Sequence, residues 1–330
     1  MNRKVSVAPM MDCTDKHERY FLRLISKNVL LYTEMIVSEA IDRGDKKKLL
    51  CFNLSEKPVA LQLGGSSPKL LANASKIGEE FGYDEINLNL GCPSKKVQKN
   101  KFGACLIKEP NLVADCLNEM QAKTKLPVTV KTRIGYDKVE DYESLFNFIN
   151  LLKSTGVKTF IIHARKAMLG KFTPKQNLNI PPLKYEMVYK LKKDFKDLEI
   201  IINGGVASTD QVKEHLNKVD GVMIGRSIYH SPYMLADIER EIFNNNEVLS
   251  RPDVVKELAF YLKQEIKKGT RINQIMRHTL GLFHGETGSG FWKRYLSENM
   301  CVRDADVQKI DHIIDKVQLA LQVQPVGQID

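Results

Sequence analysis

Eight short apolar runs recur between the N-terminus and residue 229, each separated from the next by a stretch that contains no such run. They read VSVAPM (5–10), LLYTEMI (30–36), VALQLGG (59–65), EINLNLG (85–91), VTVKTRIG (128–135), TFIIHAR (159–165), EIIINGG (199–205) and DGVMIGR (220–226). Near-continuous apolar runs are what parallel strands covered by helices require, because both of their faces are buried. The gaps carry helix signals. Segment 68–81 opens on proline and repeats apolar residues at helical spacing, and 110–123 and 141–153 behave alike. Strand and helix in eightfold alternation predict an α/β fold, a (β/α)8 TIM barrel.

A barrel of this kind accounts for about 250 residues, and the chain has 330. After residue 240 the pattern changes: 254–268, 271–283, 291–301 and 305–322 read as amphipathic helices with no strand between them. The polar stretch NNNEVLSRP (244–252) marks the expected boundary, so 1–243 forms the barrel and 244–330 a smaller C-terminal helical domain. No window holds the roughly 18 apolar residues of a membrane span, and the first residues turn polar before a signal-peptide core can form. The expectation is a cytoplasmic protein with no membrane partner, and a monomer by default. Cys13, Cys51, Cys92, Cys105, Cys116 and Cys301 form no CxxC pair, which predicts neither a disulfide framework nor a zinc ribbon, and no metal.

Strand ends carry the next signal. Met10, Glu34, Gln62, Asn89, Lys131, His163, Asn203 and Gly225 lie at or near the C-terminal ends of the eight runs. In this architecture those ends converge on one mouth, where active sites sit. Any one polar strand end signifies only loop solvation; eight together mark a site. Asn203, Gly204 and Gly205 close the seventh run, and Gly225 and Arg226 the eighth, which are the positions where such barrels bind phosphate. Lys131, Gln62 and His163 match the needs of a flavin ring, which takes hydrogen bonds along its pyrimidine edge and a positive charge near N1. His163 alone reads equally well as a satisfied histidine in a polar mouth.

Cys92 follows the fourth run in NLGCPS, in a Gly-Cys-Pro turn that would hold its thiol over the mouth. Most free cysteines are small buried hydrophobes, and Cys51, Cys105, Cys116 and Cys301 read that way. An ordinary thiol, with a pKa of about 8.5, is mostly protonated at neutral pH and can act as an acid.

The blocks APMMDCTDKHERYFLRL (8–24), YTEM (32–35), VALQLGG (59–65), GYDEINLNLGCPS (82–94), FGACL (102–106), HARKA (163–167), PPLKY (181–185), INGG (202–205) and DGVMIGR (220–226) together resemble the tRNA-dihydrouridine synthases, specifically the A type. RYLSEN (294–299) resembles that family less distinctively. Two positions depart from the A type: Thr132 stands where histidine is common, and Leu178 where a basic residue is common. The resemblance implies an FMN enzyme that uses NADPH to reduce the C5–C6 bond of uridines in the tRNA D-loop, at positions 20 and 20a. It implies that Pro9, Met10 and Met11 line the flavin and that Gln62, Lys131 and His163 contact its ring or ribityl chain. Asn203, Gly204, Gly205, Gly225 and Arg226 would take the phosphate, Cys92 would donate the proton, and Asn89 would hold the base.

The chemistry agrees on independent grounds. Hydride from flavin N5 adds at C6 and leaves enolate character across C5 and O4, so C5 must be protonated, and Lys131 or Arg165 supplies positive charge. With 50 Lys and Arg against 40 Asp and Glu, the net charge of +10 favours a polyanionic partner. Between 263 and 294 the basic residues Lys263, Lys267, Lys268, Arg271, Arg277, Lys293 and Arg294 face only Glu265 and Glu286. Lys166, Lys171 and Lys175 add charge in the 166–177 loop, and Trp292 or Tyr295 offers a stacking surface for RNA. Two other readings stand beside this one. An FMN barrel acting on a free pyrimidine, as dihydroorotate dehydrogenases do, gives the basic helices no task. A barrel that binds RNA without turnover would be colourless.

Overall fold

The computed structural model describes residues 1–300; the predicted helix 305–322 and Cys301 lie outside the described residues. Nine strands form one sheet: β1 (Val5–Val7), β2 (Leu31–Tyr32), β3 (Ile36–Val37), β4 (Val59–Gly64), β5 (Glu85–Leu90), β6 (Val128–Arg133), β7 (Thr159–His163), β8 (Glu199–Asn203) and β9 (Gly221–Ile224). Every pairing is parallel, and the order runs β1, β9, β8, β7, β6, β5, β4, β2, with β3 on β4. Leu30 closes the circle: its N–H donates to the Val5 carbonyl (3.2 Å), and its carbonyl accepts from Val7 N–H (2.9 Å). The eight predicted runs are therefore the staves of a TIM barrel.

The second stave is split. Thr33 Oγ1 accepts from Gln62 N–H (3.0 Å) and donates to the Glu34 carbonyl (2.7 Å), so a side chain replaces the backbone partner and the ladder breaks between β2 and β3. Helices cover the outer face where the spacing predicted them, at Pro68–Glu80, Pro110–Lys123 and Tyr142–Lys153. Ser67 caps the first and Asp141 the third, each accepting from the backbone N–H three residues on. At Gly78 a Cβ would lie 2.7 Å from both Ile86 Cδ1 and Leu61 Cδ2, so only glycine lets that helix close on the sheet.

The barrel interior is divided by chemistry. Ala8, Leu30, Tyr32, Ala60, Ile161, Ile201 and Met223 form one apolar cluster. Beside it, β4, β5 and β6 carry Gln62, Glu85, Asn87, Asn89 and Thr129, all buried and hydrogen-bonded to one another, and Tyr32 of the apolar cluster donates to Glu85 (2.7 Å).

The described residues form two compact units, one of Met1–Lys16 with Val29–Gly225, the other of His17–Asn28 with the described residues from Arg226 onward. The sequence expectation placed the division at 243/244. Two features move it. Helix Met234–Ile242 carries Glu239, whose carboxylate accepts from Asn28 N–H (2.8 Å) and Asn28 Nδ2 (2.7 Å), which ties the 17–28 segment to it. Helix Arg251–Lys267 carries Tyr261, which stacks on Tyr20 (3.8 Å between centroids) and bonds His17 Nδ1 (2.8 Å). The second unit continues through Ile272–Met276, a 3-10 turn at Arg277–Gly281 and Ser289–Asn299.

Candidate active site at the barrel mouth

Cys92 sits on the turn that leaves β5, and Asn89 shapes that turn. Its Oδ1 accepts from Gly91 N–H (3.1 Å) and Cys92 N–H (3.0 Å), an Asx-type arrangement that bends the chain directly after the strand. Behind it the Cys92 carbonyl accepts from Ala104 N–H (3.0 Å). The approach is close enough that a Cβ at Gly103, where φ is +71°, would lie 2.7 Å from that carbonyl and 2.5 Å from Val97 Cγ1. The FGAC block thus backs the LGCP block. Cys92 is partly exposed, whereas Cys116 is buried and its thiol is pushed up to about 12, chiefly by burial.

Next to Cys92 the mouth is positive. Lys131, on β6, donates from Nζ to Asn203 Oδ1 (3.0 Å), and Asn203 Nδ2 donates to the Met223 carbonyl (2.8 Å). Burial holds Lys131 down to about 7; Arg133 lowers it further, and the Cys92 sulfur acts in the opposite sense. Arg133 is the residue the sequence reading missed. It is 4% exposed, donates from Nε to the Gly91 carbonyl (2.8 Å), and burial lowers it to about 10, with Cys92 opposing. Strand alternation alone would have found it, since 129, 131 and 133 of one strand share a face.

His163 ends β7 in register with both Arg133 and Asn203. Burial first, then Arg133 and Lys131, hold its imidazole well below the usual histidine range, so it is neutral at pH 7. Its Nδ1 is buried without a hydrogen-bond partner among the described residues. Gly204 and Gly205 follow β8 with φ of +119° and +76°, and Cβ atoms there would lie 3.3 Å from His163 Nε2 and 2.9 Å from Tyr185 Oη. A Cβ at Gly225 would lie 3.5 Å from Met10 Sδ. Pro9 and Met10 are partly buried and Met11 is 56% exposed. Arg165 follows His163 and donates from Nη1 to the Pro181 carbonyl.

The structure brings Asn89, Cys92, Lys131, His163, Arg165, Asn203, Gly204 and Gly205 to the C-terminal ends of β5 to β8. It gives Gln62 and Asn89 partners that the sequence did not suggest. Gln62 is 1% exposed, donates to Asn87 Oδ1 (2.8 Å) and accepts from Asn89 Nδ2 (2.8 Å), so each amide retains one uncommitted N–H. Lys95, Lys96, Lys99 and Lys101, also unremarked in the sequence, are exposed around the short helix Lys95–Lys99 that follows the Cys92 turn.

The family model for dihydrouridine synthase (Dus) matches residues 6–318. The chain belongs to this family. It is 49% identical over 321 residues to the tRNA-dihydrouridine(20/20a) synthase of Synechocystis sp., covering 97% of this chain and 94% of that one. To the enzyme of the same name from Escherichia coli (strain K12) it is 50% identical over 316 residues, 95% of this chain and 91% of that one. Among solved structures, a 2-naphthoyl-CoA reductase in complex with 2-naphthoyl-CoA shares the fold, with a TM-score of 0.53 at 11% identity over 74% of this chain and 50% of that one.

In the second unit of this dihydrouridine synthase family member, Lys267, Lys268, Arg271, Lys293 and Arg294 are exposed. Lys268 Nζ is held by Glu265 Oε1 at 2.8 Å. Arg226, which opens that unit after Gly225, is exposed, as is Lys175 on the short helix Pro174–Asn179 of the barrel unit. Trp292 does not offer a stacking surface. It is 2% exposed, packs edge-on against Phe283 (5.2 Å) and donates from Nε1 to the Thr279 carbonyl (2.8 Å). The exposed aromatic on that helix is Phe291, stacked on Tyr295 at 5.7 Å. Among the described residues no helix is long and apolar enough to cross a membrane.

Proposed function

We propose that this chain is a tRNA-dihydrouridine(20/20a) synthase, a flavin-dependent oxidoreductase that reduces the C5–C6 bond of D-loop uridines with FMN as cofactor and NADPH as reductant. One observation carries the reading. A thiol, Cys92, is held on the turn after β5 within electrostatic reach of Lys131, in a chain about half identical, over nearly its whole length, to enzymes of that name.

The mouth fits a flavin on its own evidence. The buried, unpartnered His163 Nδ1 needs a polar group, and the two positive-φ glycines after β8 form a turn in which a Cβ would meet Leu183 at 3.0 and 2.6 Å, the kind of glycine turn whose backbone N–H groups approach phosphate oxygens. His163, Lys131 and the spare N–H of Gln62 serve the ring or ribityl chain, with Pro9, Met10 and Met11 beside it. Asn203, Gly204, Gly205 and Gly225 serve the phosphate, and Arg226 is the charged member of that set. A reduced flavin supplies hydride when bound.

Hydride arriving at C6 of uracil places negative charge across C5 and O4, because that double bond is conjugated to the C4 carbonyl. Cys92 then gives its S–H proton to C5, and the thiolate recovers a proton from solvent. Lys131 and Arg133 stabilise negative charge at the site, and a low pKa does not prevent this: an anion beside Lys131 draws it into the charged form. The spare N–H of Asn89 holds the base, and Arg165 and Lys175 stand near the rim. Drawing the uridine out of its stack costs a few kcal/mol. Phosphate contacts from the exposed lysines and arginines offset that cost.

Cys92→Ala is the test. The variant retains bound FMN and its reduction by NADPH, read from the flavin absorbance, yet forms no dihydrouridine in tRNA, read by mass spectrometry of the nucleosides. Full product formation by the alanine variant would remove Cys92 as the acid. Loss of the flavin would assign it a structural role.

A further inference from the structure

We propose that a column of hydrogen bonds through the barrel interior, anchored on Glu85, sets the orientation of Asn89 and through it the turn that carries Cys92; Thr129 and Asn87 are positioning residues in this column. The proposal rests on the proposed function only for its catalytic consequence.

The column begins at the N-terminal end of β5. Glu85, fully buried, accepts from Arg3 Nε (2.6 Å), Tyr32 Oη (2.7 Å) and Thr129 Oγ1 (2.7 Å). Having given its one proton to this carboxylate, the Thr129 hydroxyl presents a lone pair to Asn87, whose Nδ2 donates to it (2.8 Å). Asn87 Oδ1 therefore faces Gln62 and accepts from Nε2 (2.8 Å), and Gln62 Oε1 in turn accepts from Asn89 Nδ2 (2.8 Å). That leaves Asn89 Oδ1 toward the turn, where Gly91 and Cys92 N–H groups donate to it.

Each amide by itself has two nearly isosteric orientations. A carboxylate at one end accepts only, and two backbone N–H groups at the other donate only. Between those ends a single sense of all three amides satisfies every group. Asn87 is 0% exposed and Gln62 1%, so no solvent repairs a break. Removing the Thr129 hydroxyl leaves Asn87 Nδ2 without an acceptor. Any rearrangement that relieves it turns Gln62 and Asn89, and the turn amides lose their acceptor.

The experiment uses the full chain with its bound cofactor. Thr129→Val cuts the column, Thr129→Ser restores it, and Thr279→Val removes a buried hydroxyl from the Met276 carbonyl, away from the column. Amide hydrogen exchange at Gly91 and Cys92 is read by NMR, together with the rate of Cys92 alkylation by iodoacetamide. Thr129→Val accelerates exchange at these two amides about tenfold or more, Thr129→Ser returns it to the wild-type rate, and Thr279→Val leaves it unchanged. Equal acceleration in the two valine variants, or none in Thr129→Val, overturns the proposal. Should Thr129→Val fail to fold, Asn87→Leu cuts the next link and is held to the same outcome. With tRNA, Thr129→Val lowers kcat for dihydrouridine formation and Thr129→Ser restores it. If the wild-type chain forms no dihydrouridine, the proposed function fails and the exchange data still decide this one.

Discussion

Lys131 concentrates the residue-scale argument. Its ammonium is held down from an ordinary 10.5 to about 7, mainly by burial. Between those two pH values the unfolded chain binds a proton that the folded chain does not, so stability rises with pH across that window. It is lost as pH falls toward 7, at up to about 1.4 kcal/mol per pH unit. In flavin-stripped protein, Lys131→Met removes the group and flattens this climb. The stability difference between variant and wild type, from urea melts at pH 6.5, 8 and 9.5, is largest at the lowest pH. A difference independent of pH would mean that Lys131 titrates normally. The same residue shows what a sequence can disclose at this scale. A lysine ending an apolar run was legible because an ammonium there is costly, and Cys92 because a Gly-Cys-Pro turn follows a strand. Arg133 was missed beside them, though it shares their face. Gln62 and Asn89 were legible as inward-facing polar groups, but period-two alternation cannot tell a side chain aimed at a ligand from one bonded to its neighbours across the barrel.

At the scale of elements, all eight staves were legible because burial on both faces leaves apolar runs that are short for helices and alternate with stretches carrying helix signals. Their breaks were less so: β2 and β3 separate because the Thr33 side chain enters the ladder, which no propensity encodes. The 3-10 segment Gly103–Lys108 is a further case, since FGACL has a conspicuous composition but its task is to back the Cys92 turn. Gly103→Ala tests that task. A side chain there meets both a positive φ and contacts of 2.5 and 2.7 Å, and neither the Cys92 carbonyl nor the branched Val97 can withdraw freely. The cost is about 1–3 kcal/mol of strain before any clash, and the relief available is displacement of the turn. The expected outcome is a lower unfolding midpoint together with slower dihydrouridine formation and unchanged flavin content. An alanine variant as stable and as active as the wild type would show that the two blocks do not constrain each other.

For the whole molecule, the net charge of +10 is unevenly spread, and the spread decides what it can do. In the helical unit, Lys267 and Arg271 are exposed, whereas Lys268, although 67% exposed at its side chain, is already bonded to Glu265. Counterion release depends on cations that reach phosphates, not on composition, and each such contact contributes about one unit to the slope of log K against log salt. Replacing Lys267 and Arg271 with alanine therefore flattens the salt dependence of tRNA binding by about two units. Adding Lys268→Ala changes the slope by less than a further unit, because a cation neutralised by its own carboxylate releases fewer counterions. Binding titrations across about 50 to 200 mM salt resolve these steps. A slope that all three substitutions leave untouched would remove this surface from the RNA contact. The four lysines after the Cys92 turn would then be the next cations to test.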